Sequence, residues 1–281
     1  MGLVLEGGGT RAVYTSGVLD FFLDKDLTFD YIIGVSAGSC NGTSFLAKNR
    51  GRQHDLTVKY VHDKRYMGIK PLKESGNFLN IPWIFGELAY ETMPLDFDTF
   101  ERADTRLVAV VTNALTGLPE YHDVENLREE CSILAASCAM PLATKGVTVN
   151  GMMCYDGGIT DSIPLEHALA DGCDRAVVIL TQHKGYQKKP LGPRSEKVLQ
   201  KMLGQYPVLA QKVRDRYMMY NRQLEYTYEK ERQAQAFVIQ PSQPLECSSL
   251  ERNVQKLEWV YQLGYSDAKA SLENLLRFMN G

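Results

Sequence analysis

Ser36 lies in Gly34-Val35-Ser36-Ala37-Gly38, directly behind the apolar run Tyr31-Ile32-Ile33 and ahead of a segment, residues 41–48, that can begin a helix. A strand, a sharp turn with serine at its apex and a helix form a nucleophile elbow. Glycines flank the serine because such a turn brings backbone segments too close for a Cβ. A serine hydroxyl is a weak nucleophile. It needs a base to take its proton and donors for the negative charge that grows on the substrate oxygen.

The donors are sought at the start of the chain. Leu3-Val4-Leu5-Glu6 leads into Gly7-Gly8-Gly9-Thr10-Arg11-Ala12 and then a helical pattern over residues 13–23. Glycines between a strand and a helix let consecutive N–H groups face one concavity, which suits a phosphate or an oxyanion. Gly7, Gly9 and Ala12 also satisfy G-x-G-x-x-G/A, the dinucleotide fingerprint. A dinucleotide fold, however, needs an acid at the carboxyl end of the second strand. Here Gly34 and Ser36 occupy that end and Asp30 precedes the strand. Oxyanion stabilisation is therefore the preferred reading. A Walker loop fits worse, because no Gly-Lys-Ser/Thr follows the glycines.

Two bases are open. His183 follows the apolar stretch 175–181 and would complete a Ser36–Asp174–His183 triad; it would serve equally as a solvated loop residue. His54, His62 and His167 fall in polar helical patterns and are expected to be exposed, and His122 sits in a short strand-like stretch. The other base is Asp156, at the end of Met152-Met153-Cys154-Tyr155 and ahead of Gly157-Gly158, where the chain must turn tightly.

The three blocks together resemble the patatin-like phospholipases. That family joins G-G-G-x-R/K-G, G-x-S-x-G and D-G-G/A, matched here by Gly7-Gly8-Gly9-Thr10-Arg11-Ala12, Gly34-Val35-Ser36-Ala37-Gly38 and Asp156-Gly157-Gly158. Ala135-Ala136-Ser137-Cys138-Ala139-Met140-Pro141 is similar to a fourth family block. Ala12 stands where the family usually has glycine. The resemblance covers about the first two-thirds of the chain. It implies a three-layer α/β/α fold and a dyad in which Ser36 attacks and Asp156 accepts its proton directly. It also implies an oxyanion hole of Gly8 and Gly9 amides, with Ala37 as a further donor. Gly7, Gly34, Gly38, Gly157 and Gly158 would shape these turns. Arg11 would fix the glycine loop or meet a phosphate head group; a salt bridge to a nearby acid is the equal alternative. The activity implied is hydrolysis of lipid carboxyl esters, of lipase/esterase, phospholipase A or lysophospholipase type, without metal or organic cofactor. A lipid- or partner-binding protein with vestigial motifs is the rival of another class.

The elements that must hold these residues alternate along the chain. Strands are predicted at 3–6, 31–35, 106–113, 118–122, 147–154, 175–181 and 236–240. Helices are predicted at 13–25, 39–49, 52–64, 124–137 and 164–171, and at 250–277 with a break near Gly264. This order gives a mostly parallel sheet with helices on both faces, and Gly8, Ser36 and Asp156 all fall at strand carboxyl ends. Residues 66–97 are rich in aromatic and large apolar groups, and are expected to cap the core and to wall an acyl chain, with Gly76 or Gly86 as points of movement. The stretch 195–231 reads as a basic, solvated helix interrupted near Pro207; transient contact with an anionic lipid surface is the second reading.

With 281 residues the chain can bury one substantial core, and a single domain over 1–281 with a mostly helical part at 195–281 is expected. A net charge of −3 suggests no polyanion, hence no nucleic acid, as partner. The six cysteines lack C-x-x-C spacing, which argues against structural zinc. Cys40, just past the elbow, is either a reactive thiol or a small packing residue. No charged–apolar–small leader and no membrane-length apolar run is visible, so a soluble cytoplasmic protein is expected.

Overall fold

The structure is a computed structural model describing residues 1–129 and 131–281. Its strands are β1 (Gly2–Leu5), β2 (Tyr31–Val35), β3 (Arg106–Asn113), β4 (Pro119–Asp123), β5 (Val147–Val149), β6 (Met152–Asp156), β7 (Ala176–Ile179) and β8 (Ala236–Ile239). They form one sheet in the order β5-β6-β3-β2-β1-β7-β8, with β4 also on β3. The five strands β3, β2, β1, β7 and β8 run parallel. The pairings β3–β4, β3–β6 and β5–β6 are antiparallel. The sheet is thus mixed, a parallel centre with an antiparallel end.

Alternate residues of the central strands enter two separate cores. Leu3, Leu5, Ile32, Leu107, Ala109, Val177 and Ile179 face one. Val4, Ile33, Val35, Val108, Val110 and Val178 face the other. Both faces are covered, which is why the strands read as unbroken apolar runs. On the first face lie α1 (Val13–Asp24), α2 (Ala37–Leu46), α3 (Arg52–Tyr60) and the short α6 (Phe97–Glu101), with α4 (Ile69–Ser75) and α5 (Ile81–Trp83) between α3 and α6 in the chain. Next in the chain come α7 (Ser132–Ser137), α8 (Leu165–Ala170), α9 (Pro193–Met202), α10 (Pro207–Arg232) and α11 (Val254–Asn280). Leu165 of α8 with Tyr220 and Leu224 of α10 builds the second core, while α11 packs on α1 in the first.

Four expectations about the elements are corrected. The strand predicted over 147–154 is a hairpin: Asn150 and Gly151 take φ of 49° and 77°, the left-handed pair of a two-residue turn. The helix predicted over 124–137 is confined to α7, because Asn126 adopts φ 49° and Val124 extends the sheet by donating to the Leu107 carbonyl at 2.8 Å; Glu130 lies outside the described residues. The helix predicted over 52–64 ends at Tyr60. The break predicted near Gly264 is absent. A Cβ on Gly264 would stand 2.1 Å from the Tyr14 carbonyl oxygen, and one on Gly17 would stand 2.1 Å from that of Tyr261. The two glycines let α1 and α11 touch backbone to backbone. Residues 66–97 contain α4, α5 and a wide helix, Ile84–Thr92, broken at Gly86 where φ and ψ are −113° and −108°.

Candidate active site

Ser36 is the joint between β2 and α2, with φ 55° and ψ −130°. A non-glycine residue held there stores about 1–3 kcal/mol. The surroundings enforce it. The Ser36 N–H donates to Ser137 Oγ at 2.9 Å, and the Ser137 hydroxyl donates to the Val110 carbonyl at 2.7 Å. The Ser39 hydroxyl and amide close on the Ser36 carbonyl at 2.6 and 3.0 Å. A Cβ on Gly38 would lie 2.4 Å from the Leu5 carbonyl oxygen, and one on Gly34 would lie 2.5 Å from the Cα of Ser39. Those two glycines are required by close approach.

Asp156 reaches Ser36 through the register of β3. Val110 pairs with Val35 at the end of β2, and the next residue, Val111, pairs with Asp156 at the end of β6. The Asp156 side chain is buried, 2% exposed, and its Oδ1 accepts the Gly158 N–H at 2.8 Å. Burial pushes its carboxyl up to about 6, against the opposing pull of the Arg216 charge, a hydrogen-bonding interaction with Ser36 and the Gly158 amide. Gly157 packs on the Val110 carbonyl, and the Gly158 carbonyl accepts both Ser162 Oγ at 2.7 Å and Arg216 Nε at 2.5 Å.

Gly7, Gly8, Gly9 and Ala37 line the same cavity as Ser36 and Asp156. Among the described residues, the N–H groups of Gly8, Gly9 and Ala37 have no acceptor. The glycine loop is pinned elsewhere. Thr10 N–H donates to the Ser249 carbonyl at 3.0 Å, and the Thr181 hydroxyl donates to the Gly7 carbonyl at 3.1 Å. Arg11 lines the cavity, forms no ion pair among the described residues and leaves its buried Nε without a partner there. The cavity measures about 470 Å³. Tyr66, Met67, Leu79, Ile81, Ile84, Phe85 and Leu88 wall one side, so residues 66–97 contribute both core and cavity surface. Cys40 also lines it, its Sγ 3.7 Å from that of Cys138; this neighbour holds the Cys40 thiol below its ordinary range, with Arg52 adding to the effect.

The triad alternative is not assembled. Asp174 precedes β7 and His183 follows it, so the strand separates them, and His183 Nδ1 is buried without a partner among the described residues. His54 and His167 are not free in solvent as expected. His54 Nε2 lies 2.6 Å from Glu258 and the His167 ring stacks on Tyr121 with centroids 3.4 Å apart.

Residues 3–169 match the sequence profile described as Patatin-like phospholipase. The chain belongs to the patatin-like phospholipase family. A second profile, described as a domain of unknown function (DUF6363), matches residues 206–280, from α10 to α11. Among patatin-like relatives, the uncharacterized protein YjjU of Escherichia coli K12 is 27% identical over 269 residues, covering 93% of this chain and 74% of that protein. Lysophospholipase NTE1 of Yarrowia lipolytica is 24% identical over 175 residues, 61% of this chain and 12% of the larger protein. Lysophospholipase NTE1 of Saccharomyces cerevisiae is 25% identical over 178 residues, 62% and 10%. The chain therefore spans about a tenth of these lysophospholipases. Among solved structures, VipD from Legionella pneumophila aligns with a TM-score of 0.45 at 13% identity, covering 98% of this chain and 67% of that one.

Sequence reasoning missed several residues of this site. Ser137 braces the elbow from the fourth family block, though its hydroxyl carries no signal apart from the block. Arg216, expected on a solvated helix, lies against Gly158 and Asp156. Lys188, expected in a basic loop, lines the cavity. Glu6, buried at the end of β1, accepts the Thr181 N–H at 2.6 Å and the Tyr220 hydroxyl at 2.8 Å. Among the described residues no helix is long and apolar enough to cross a membrane.

Proposed function

We propose that the protein is a serine acyl-hydrolase that cleaves lipid carboxyl esters with Ser36 as nucleophile and Asp156 as base. The observation that supports this most is the convergence of a strained, half-buried serine, a buried carboxylate of raised proton affinity and three main-chain donors unpaired among the described residues on one cavity. A carboxylate of ordinary acidity is a poor base for an alcohol. One pushed up to about 6 remains ionised at neutral pH and accepts a proton more readily.

In the proposed cycle, Ser36 Oγ attacks the ester carbonyl as its proton passes to Asp156. The oxyanion meets the amides of Gly8, Gly9 and Ala37, each such donor being worth roughly 3–4 kcal/mol of barrier in known enzymes. Asp156 then protonates the leaving alcohol, forming an acyl-Ser36. Water, losing a proton to Asp156, attacks the acyl-Ser36 carbonyl; the bond to Ser36 Oγ then breaks as Asp156 returns the proton to that oxygen, releasing the fatty acid and restoring the free serine. The apolar wall from residues 66–97 takes the acyl chain, and the names of the NTE1 relatives favour a lysophospholipid-type ester. We extend the proposal to one folded unit over 1–281.

A fluorophosphonate probe tests the proposal. Covalent labelling is expected in the wild type and in His183→Ala, and its loss in Ser36→Ala. Turnover of p-nitrophenyl acyl esters is expected to persist in His183→Ala within a few-fold. Labelling that survives Ser36→Ala, or saturable lipid binding without any labelling, would refute it.

A further inference from the structure

The cavity has a second pole that the ester chemistry does not use. Besides the apolar wall, Arg11, Lys188 and Arg216 all line it. They come from three distant places: the glycine loop, the segment between the two profile matches, and α10 within the second match. Arg216 and Arg11 both act electrostatically on Lys188.

None of the three has a carboxylate partner within ion-pair distance among the described residues. In contrast, Arg50, Arg65, Arg106, Arg128 and Arg214 all have one. Lys188 Nζ instead rests over the ring of Tyr220, 4.3 Å from its centroid. Its main chain is clamped by Asn221 through bonds of 2.8 and 3.1 Å, which fixes where the side chain leaves the backbone. The buried Arg11 Nε lacks an acceptor. Glu6 is the nearby acid, and both of its oxygens are already engaged by Thr181 and Tyr220.

Asp156 and Glu6 line the same cavity, but neither lies within ion-pair distance of these cations, so three partly desolvated positive charges stand against two carboxylates, one of them held by Thr181 and Tyr220 and the other by Gly158; a bound anion offsets that imbalance. Burial and the Arg216 charge already hold the Lys188 ammonium down to about 7. A guanidinium pair and an ammonium suit the several oxygens of a phosphate monoester. No uncommitted carboxylate at this pole is placed to receive a trailing ammonium, and the Tyr220 face is covered by Lys188.

The geometry points to a head-group site in which Arg11, Lys188 and Arg216 hold the phosphate of an acyl ester with an anionic head, and discriminate against zwitterionic and uncharged head groups. This deepens the proposed hydrolase, since it names the alcohol side of the same ester. The pole is built largely by chain outside the patatin match, which gives the C-terminal segment a direct part in choosing substrate.

The test is binding to the full-length Ser36→Ala protein, measured by titration calorimetry below the micellar concentration. Because turnover is not read, failure of the Ser36–Asp156 chemistry would leave this experiment intact. The ligands are 1-oleoyl-glycerol-3-phosphate, 1-oleoyl-glycerophosphocholine, 1-monooleoylglycerol and glycerol 3-phosphate. The acyl phosphate monoester is expected to bind at least tenfold tighter than each of the others. Lys188→Gln on the same background should cut the ratio of phosphate-ester to monooleoylglycerol affinity about tenfold, and Lys188→Arg should restore it. Equal affinity for the phosphocholine ester would overturn the proposal, as would an unchanged ratio in Lys188→Gln. Glycerol 3-phosphate binding as tightly as the acyl ester would make the pole a free-phosphate site and equally overturn it.

Discussion

Replacing Asp156 by asparagine should abolish turnover while making the protein more stable, and the gain should grow with pH. The isosteric amide oxygen can still accept the Gly158 N–H, so the turn is preserved. What disappears is a buried charge. The carboxyl titrates near 3.8 when exposed and is pushed up to about 6 by burial in the folded chain. Below 3.8 both states hold the proton and the substitution changes little. Between 3.8 and about 6 the unfolded chain releases its proton while the folded chain retains it, so wild-type stability falls as pH rises. Above about 6 both states are ionised and the penalty levels off at about 3 kcal/mol, from 1.36 kcal/mol per pH unit of displacement. At pH 5 the same linkage gives about 1.6 kcal/mol. Urea unfolding of wild type and Asp156→Asn at pH 5 and pH 8 should therefore show the variant gaining about 1.4 kcal/mol more at the higher pH. Comparing two pH values cancels whatever the amide itself does to packing. In the wild type, kcat/KM should fall about tenfold per pH unit below about 6, because the base must be ionised to accept a proton. A stability difference that does not change with pH, or that shrinks at pH 8, would show that Asp156 is not held against its charge and would remove the physical reason for making it the base.

Ser36→Gly relieves the positive φ and should raise stability by about 1 kcal/mol, read as a melting temperature about 2 °C higher, while removing all turnover. Ser137→Ala leaves the buried Ser36 N–H and Val110 carbonyl without their shared partner; chemical unfolding should show a loss of about 2–3 kcal/mol. Steady-state kinetics of that variant should show kcat reduced at least tenfold with KM nearly unchanged, since the elbow is misplaced and the binding walls are not. Gly264→Ala forces a methyl into the Tyr14 carbonyl and should destabilise by about 2–3 kcal/mol by the same assay, with the pH profile of kcat/KM unaltered.

Much of this site could be read from local sequence because its parts are backbone turns, and turns leave glycines. The elbow at Gly34–Gly38, the loop at Gly7–Gly9 and the turn after Asp156 each show a residue type that few other conformations demand. The parallel centre was legible for a related reason: strands covered on both faces admit only apolar residues, as in Val108–Val111. The hairpin at Asn150-Gly151 carried its own turn signal, masked by the apolar residues on both sides. Gly264 misled because a glycine in a helix marks a break or a close neighbour, and only the fold shows Tyr14 opposite it. Lys188 and Arg216 left no local trace. Basic residues on an amphipathic stretch look alike whether they face water or a cavity, and only the placement of α10 against the Asp156 turn separates the two. Ser137 is similar: its bonds to Ser36 and Val110 join residues 101 and 27 positions away.

Because Ser36 follows Val35, and Val35 and Asp156 occupy successive rungs of β3, the spacing between the backbones of Ser36 and Asp156 is set by sheet register. The apolar wall of the pocket is thereby decoupled from Ser36 and Asp156. Substitutions in the apolar wall of residues 66–97 should retune which lipid is accepted with little effect on Ser36 and Asp156, whereas Arg216 of α10 touches the Asp156 turn, and one residue inserted between Val110 and Val111 would pull the pair apart, however well every side chain repacked.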